Sequence, residues 1–318
     1  MTVIGVDLGG TNLRVARIEG GAVVASARRE VGAARGVDDV VALIAALVAE
    51  VGAGVLAATV PVGVGVAAML GDRRGTVVNA PNLGWRDIAF GAALAARLGA
   101  RHPLGVYNDV NAIAYGELGA GAGRGARDLL AVFVGTGVGA GLVVNGALAE
   151  GASNCAGELG HVKVAWGPDA ARCGCGMVGC VEAYVGGAAL QARIRRELAA
   201  GASPAIAASA GGAEHAHVGH VDAAADDDGW ARALVDESAQ RLALAIGNAI
   251  AVLNPDRLVL GGGVLARAPR LRARMIAALP AIAPAAVLRP LTIVDAALGD
   301  DAGLIGAALL AGAGVSLV

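Results

Sequence analysis

Between Glu158 and Glu182 the chain places His161, Cys173, Cys175 and Cys180, with the two glutamates at either end. One imidazole and three thiolates form a borderline-soft donor set of the kind that closes a tetrahedral zinc site. The competing reading is three small buried side chains and a surface histidine. That reading fits poorly, because the chain has only four cysteines and three of them fall within eight positions. Gly174, Gly176 and Gly179 add little packing but let a loop turn tightly around an ion. The spacing is not that of a common zinc finger. Glu158 and Glu182 then border a polar pocket shaped by the metal loop. Cys155, the remaining cysteine, reads as small buried filler.

A second kind of chemistry is written in two glycine turns. The opening strand, TVIGVD, ends on Asp7 and runs into Leu8–Asn12, LGGTN. Gly9 and Gly10 let backbone N–H groups approach phosphate oxygens, Thr11 adds a hydroxyl, and Asp7 can hold a magnesium ion, directly or through water. A tight turn without a ligand would share this pattern. Residues Leu129–Gly151 repeat the plan, with a strand, the turn Gly135-Thr136-Gly137, a strand, an Asn145-Gly146 hairpin and a third strand. The turns are not P-loops, since no Lys-Ser/Thr follows the last glycine. Nor are they dinucleotide fingerprints, since a strand and not a helix follows. Two such units suit a duplicated domain that clasps a nucleotide. Near the end, Gly261-Gly262-Gly263 could lie flat against a nucleotide base.

Asp109 is the candidate general base. A short apolar strand from Leu104 ends at Asn108-Asp109 and a helix begins there. A carboxylate at a strand's carboxyl end, flanked by Asn108 and Asn111, is placed for proton transfer, although it could equally cap the helix. Asn82, in the polar loop Val77–Trp85, is read either as an Asx-turn residue or as a ligand contact. Glu117, about two turns into the helix after Asp109, reads as structural support or part of a hinge.

The elements that must position these groups follow from hydrophobic periodicity and turn chemistry. Gly20-Gly21 joins two alternating runs into a hairpin. Val37–Glu50 is an amphipathic helix with acidic residues in its first turn. Val62–Leu70 reads as a buried strand. Helices are predicted over Ile88–Leu98, Ala183–Ala199, Trp230–Leu253, Leu265–Leu279 and Asp301–Ala311, and strands over Arg257–Leu260 and Thr292–Asp295. Residues 200–229, with His215, His217, His220 and the Asp226–Asp228 run, read as a solvated helix–loop.

Length and composition bound the function. A chain of 318 residues can hold two domains. Apolar residues make up 56% but aromatics only 3%, so the core packs small side chains around many glycines. A net charge of −2 carries no basic footprint for nucleic acid. The cysteine pattern suits a reducing cytoplasm. The uncharged runs Val51–Gly71 and Leu129–Ala149 approach transmembrane length but are interrupted by glycines. No basic leader with a cleavage site is evident, and the expectation is a soluble cytoplasmic protein with no membrane or nucleic-acid partner.

Together these motifs resemble the ROK family of repressors, open reading frames and sugar kinases, and within it the bacterial ATP-dependent glucokinases. The matching segments are DLGGTN at Asp7–Asn12, NAPNLGW at Asn79–Trp85, NDVNAIAYGE at Asn108–Glu117, GTGVGAG at Gly135–Gly141, GELGH at Gly157–His161, CGCGMVGCVE at Cys173–Glu182 and LGGG at Leu260–Gly263. The resemblance implies an actin-like, ribonuclease-H-type α/β fold: two lobes of duplicated βββαβα plan around a cleft. The lobes would comprise residues 1–110 with the C-terminal helix 299–318, and residues 111–298 with the zinc loop and a dimer surface. It implies that Asp109 takes the proton from a sugar's 6-hydroxyl as that oxygen attacks the γ-phosphate of ATP. Asn82, Asn108, Glu158, His161 and Glu182 would hydrogen-bond sugar hydroxyls. Asp7, Gly9, Gly10, Thr11, Asn12, Gly135, Thr136, Gly137, Gly261, Gly262 and Gly263 would hold the nucleotide with Mg2+. His161, Cys173, Cys175 and Cys180 would hold a structural Zn2+. Glucose is the first expected acceptor; fructose, N-acetylmannosamine, N-acetylglucosamine and glucosamine remain open, as does polyphosphate as donor. A non-catalytic sugar sensor or repressor relative is the other class, disfavoured because the first strand follows Met1 at once and both glycine turns and Asp109 are intact. Relatives often carry Pro-Gly-Pro where this chain has Val66-Ala67-Ala68-Met69.

Overall fold

The computed structural model describes residues 1–32 and 36–318, in two compact units. The first comprises Met1–Leu129, Gly141–Gly157 and Ala296–Val318; the second comprises Leu130–Ala140 and Glu158–Asp295.

In the first unit, β1 (Thr2–Leu8), β2 (Asn12–Glu19) and β3 (Ala22–Glu30) form an antiparallel meander, with Gly20 and Gly21 both at positive φ in the turn. Helix α1 (Val37–Val51) buries Val40, Val41, Ile44, Leu47, Val48 and Val51, the spacing that puts one stripe against the sheet. Strand β4 (Val62–Val66), buried at every residue, lies parallel to β1 and stops before Met69. Val77–Trp85, expected to be a polar loop, instead supplies β6 (Val77–Ala80) and the start of β7 (Trp85–Ile88) to a small sheet with β5 (Met69–Leu70), and Asn82 sits in the tight turn between β6 and β7. Helix α2 (Phe90–Leu98) packs Phe90 on Trp85, with ring centroids 5.2 Å apart. Strand β8 (Leu104–Asn108) adds parallel to β4 and leads into α3 (Asp109–Ala120). The sheet order is β3-β2-β1-β4-β8.

The closing helix, Ala302–Gly312, packs through small residues. Nine of its eleven residues are buried, and most of them are Ala or Gly. A Cβ at Gly306 would collide with the carbonyl of Ala112 on α3, and one at Gly63 would collide with the carbonyl of Ala307. Backbones that approach this closely leave no room for larger side chains. Glu117, wholly buried, accepts hydrogen bonds from the N–H groups of Ala122, Ala297 and Leu298, which ties α3 to the segment entering the closing helix.

The second half repeats the strand plan. Strands β9 (Leu129–Val134), β10 (Val138–Val144) and β11 (Ala147–Leu148) are followed by α4 (Glu182–Val185), α5 (Gly187–Ala199), α6 (Pro204–Ser209), α7 (Val218–Ala224) and α8 (Gly229–Leu253). Then come β12 (Arg257–Gly261), α9 (Gly263–Arg267), α10 (Pro269–Ala278), α11 (Ala285–Leu288) and β13 (Thr292–Asp295). The order β11-β10-β9-β12-β13 is that of the first sheet, and this duplication is the actin-like, ribonuclease-H-type plan. Asp228 caps α8 by accepting from Ala231 N–H, and Asn254, left-handed before Pro255, ends it. Residues 200–229, expected to be a solvated helix–loop, do form the short helices α6 and α7 but are partly buried: Ser203 caps α6, and buried Asp222 accepts from the N–H groups of Arg270 and Leu271 at the start of α10. Among the described residues no helix is long and apolar enough to cross a membrane.

Candidate active site

In the first unit, the strand ends gather the expected phosphate and base residues. Asp7 pairs with Arg14 on β2 and Gly65 on β4, and Gly9 N–H donates to Asn12 carbonyl at 3.0 Å to close the turn. Gly10 is needed there because a Cβ would lie 2.5 Å from the Cβ of Asn82, so the turn and the Asn82 loop are in van der Waals contact. The Asn12 carboxamide oxygen accepts from Nε and Nη2 of Arg28 at 3.1 and 2.9 Å. Arg14, ion-paired with Asp301, lies near Asp7. Burial pushes the Asp7 carboxyl above the ordinary carboxylate range; Arg14 pulls it back and Asp300 adds to the rise.

The helix cap next to Asp109 is Asn108. Its Oδ1 accepts from the N–H groups of Val110 and Asn111 at 3.0 and 3.2 Å, and its Nδ2 donates to the Ala68 carbonyl at 3.1 Å. One amide hydrogen of Asn108 remains for a ligand. Asp109 is the first residue of α3, and its Oδ1 accepts from Val110 N–H at 3.0 Å.

In the second unit, Gly135, Thr136 and Gly263 line one cavity of about 470 Å3. The N-terminus of α5 closes onto the turn: Gly187 N–H donates to the Gly135 carbonyl at 2.8 Å and Ala188 N–H to that of Thr136 at 3.0 Å. Gly187 has no tolerance for a side chain, since a Cβ would sit 2.5 Å from the Gly135 carbonyl oxygen. Gly262, at φ +95°, lies against the backbone of Val134, and Gly261 ends β12. The cavity wall also includes Gln191, His217 and Arg267, which no motif marked. His217 and His220 stack with centroids 3.9 Å apart. The Nδ1 of His217 accepts from Gly219 N–H and that of His220 from His217 N–H, which leaves Nε2 as the ring donor in each.

The predicted metal ligands come together. Donor atoms of His161, Cys173, Cys175 and Cys180 all lie within 4.8 Å of one another. The Cys175–Cys180 sulfur separation and the separation of Cys173 Sγ from His161 Nδ1 are both 3.8 Å. Zinc–sulfur bonds of about 2.3 Å at tetrahedral angles place sulfurs about 3.8 Å apart, so the donor set and its spacing are compatible with a structural zinc. Burial drives the Cys173 thiol up to about 12. At Cys175 burial is outweighed by hydrogen bonds from Met177 N–H, Cys173 and Cys180 and by the charge of Lys163, and its thiol is lowered.

Glu158 Oε2 lies 3.7 Å from His161 Nε2, on the far side of the ring from Cys173. Burial raises the Glu158 carboxyl, His161 opposes this and Glu182 adds to it. Glu182 joins loop and turn: its Oε2 accepts from Val138 N–H at 2.9 Å while its Oε1 lies 3.7 Å from Cys173 Sγ. Gly137 makes this possible, since a Cβ there would collide with the Glu182 carboxylate.

Residues 3–313 match the sequence pattern of the ROK family. The glucokinase of Thermotoga maritima is 34% identical over 316 residues, 97% of this chain and 96% of its own length. A crystal structure of a ROK family glucokinase from Streptomyces griseus in complex with glucose and AMPPNP aligns with a TM-score of 0.78 at 31% identity, covering 98% of this chain and 100% of that one. The ROK hexokinase from Thermus thermophilus aligns at 0.81 with 28% identity, covering 99% of each chain.

Proposed function

This chain belongs to the ROK family, and we propose that it is a sugar kinase that transfers the γ-phosphoryl group of ATP to the 6-hydroxyl of a hexose, glucose first. The observation that carries the reading is the pair of glycine turns in matching sheets, one beside Asp7 and one lining the 470 Å3 cavity, with a carboxylate, Asp109, at a strand end of the first sheet. The relatives named glucokinase, one of them bound to glucose and an ATP analogue, support the acceptor and the donor.

Asp109 accepts the 6-hydroxyl proton as that oxygen bonds to the γ-phosphorus, and the bond to the β-phosphate oxygen breaks to release ADP. Asn82, Asn108, Glu158, His161 and Glu182 hold the other hydroxyls. The Gly135–Gly137 turn and Gly263 receive the nucleotide, and Gly9, Gly10, Thr11 and Asn12 the phosphates. Asp7 would hold Mg2+, which would supply neutralisation of phosphate charge, and phosphoryl transfer depends mainly on such positioning and charge stabilisation. His161, Cys173, Cys175 and Cys180 would hold a structural zinc, which would fix the loop that presents Glu158 and Glu182. A homodimer in the cytoplasm is the expected state.

A coupled ADP-release assay with Mg-ATP against hexoses and amino sugars tests the reading. Highest kcat/KM on glucose supports it, and preference for an acetylated amino sugar keeps the transfer but corrects the acceptor. No turnover on any sugar by folded protein overturns it.

Asp7 gives a second test. Its folded carboxyl holds a proton more tightly than the unfolded one, so without Mg2+ stability falls as pH rises from the ordinary carboxylate value through the raised one. Asp7→Asn is expected to raise Tm at neutral pH and flatten that slope, while turnover drops by about 100-fold as the phosphates lose their ion. A Tm unchanged or lowered at neutral pH would refute the buried-charge account.

A further inference from the structure

Lys163 is the only lysine among 25 lysine and arginine residues. It lies two positions after His161 and faces Cys180 across an isolated antiparallel bridge flanked by the Val164 N–H to Gly179 carbonyl and Val181 N–H to Val162 carbonyl hydrogen bonds. Its Nζ donates to Cys180 Sγ at 3.0 Å, and Cys180 is fully buried. We propose that Lys163 is a positioning residue for the metal cluster: its ammonium holds the Cys180 thiolate and balances the charge of the loaded site, slowing loss of zinc.

Three thiolates outweigh the two charges of a zinc ion by one, and Glu158 and Glu182 add negative charge beside the cluster. A cation in contact offsets the charge of a half-buried anionic site, and an N–H bond to a ligating sulfur is the type of outer contact that orients a metal ligand. A compact ammonium with three rotatable donors fits against one sulfur, whereas a guanidinium is a planar fork matched to two oxygens. A chain that uses arginine at its other basic positions keeps lysine where that shape is required.

This inference rests on the zinc reading, and the experiment separates the two. Metal analysis of the wild-type protein comes first; absence of zinc would overturn the metal site and the role of Lys163 with it. The rate at which zinc passes to a chromogenic chelator is then compared across variants. Lys163→Met, of similar length but without charge or donor, is expected to release zinc at least about 10-fold faster, the usual scale for losing an outer contact. Lys163→Gln serves if the methionine variant does not fold, and it is expected to release zinc comparably fast because it restores no charge. Lys163→Arg is expected to fall between wild type and Lys163→Met. Release from the uncharged variant at the wild-type rate would overturn the proposal while leaving the zinc site standing.

Discussion

Replacing Asp109 by asparagine is expected to lower kcat by about 1,000-fold and to leave hexose affinity within a few-fold of wild type. The amide keeps the shape and an oxygen that can accept from Val110 N–H, as the aspartate does at 3.0 Å. It cannot take up the proton from the attacking hydroxyl. A 1,000-fold loss corresponds to about 4 kcal/mol of barrier at about 1.36 kcal/mol per tenfold. The structural cost is far smaller, since removing a negative charge at a helix N-terminus is worth about 0.3–1 kcal/mol. The α3 cap itself is untouched, because Asn108 and not Asp109 provides it. A large loss of turnover with sugar binding and Tm preserved therefore reports proton transfer. Turnover near wild type would remove Asp109 as the base.

The second large effect is expected at the metal loop. Cys175→Ala should lower bound zinc to well under one ion per chain, depress Tm by several degrees and raise the KM for sugar by at least about 10-fold. Cys175 is exposed, unlike Cys173 and Cys180, so the substitution removes a donor and almost no packing. An exposed substitution without a special role costs about 0.5 kcal/mol or less, whereas structural zinc in small peptides contributes about 10–16 kcal/mol. The loop also carries Glu158 and Glu182, and Glu182 reaches Val138 N–H beside the Gly135–Gly137 turn. Disorder there would disturb that turn as well as the sugar hydroxyl contacts proposed for the two glutamates. Cys155→Ala is the control, since Cys155 donates to the Leu70 and Ser153 carbonyls and lies outside the cluster. Zinc analysis and thermal melts check both, and a Cys175→Ala protein that retains one zinc per chain would contradict the ligand assignment.

Much of this site was legible because its signals are local. Three cysteines set among glycines and a histidine twelve residues earlier constrain a loop by themselves, and the same loop forms the cluster. Gly20-Gly21 and the two strand–glycine turn–strand segments announced the duplicated meander. Residues whose roles depend on distant partners were not legible. Both Asn108 and Asp109 can cap a helix, and only the packing of β8 beside Ala68 gives the role to Asn108. The contact of Glu182 with Val138 spans 44 residues. His217 sits in an Ala- and Gly-rich stretch without periodicity, and it lines a cavity only because α7, α5 and α9 pack together. The Asn82 region looked like a loop because β7 is four residues long and holds Asp87 at φ +52°, too short and irregular for strand alternation.

The measurement that tests the central claim most directly is product identification with γ-labelled Mg-ATP and glucose. Label is expected in glucose 6-phosphate, one per ADP released. ADP released without labelled sugar, or label on a hydroxyl other than the 6-hydroxyl, would contradict it.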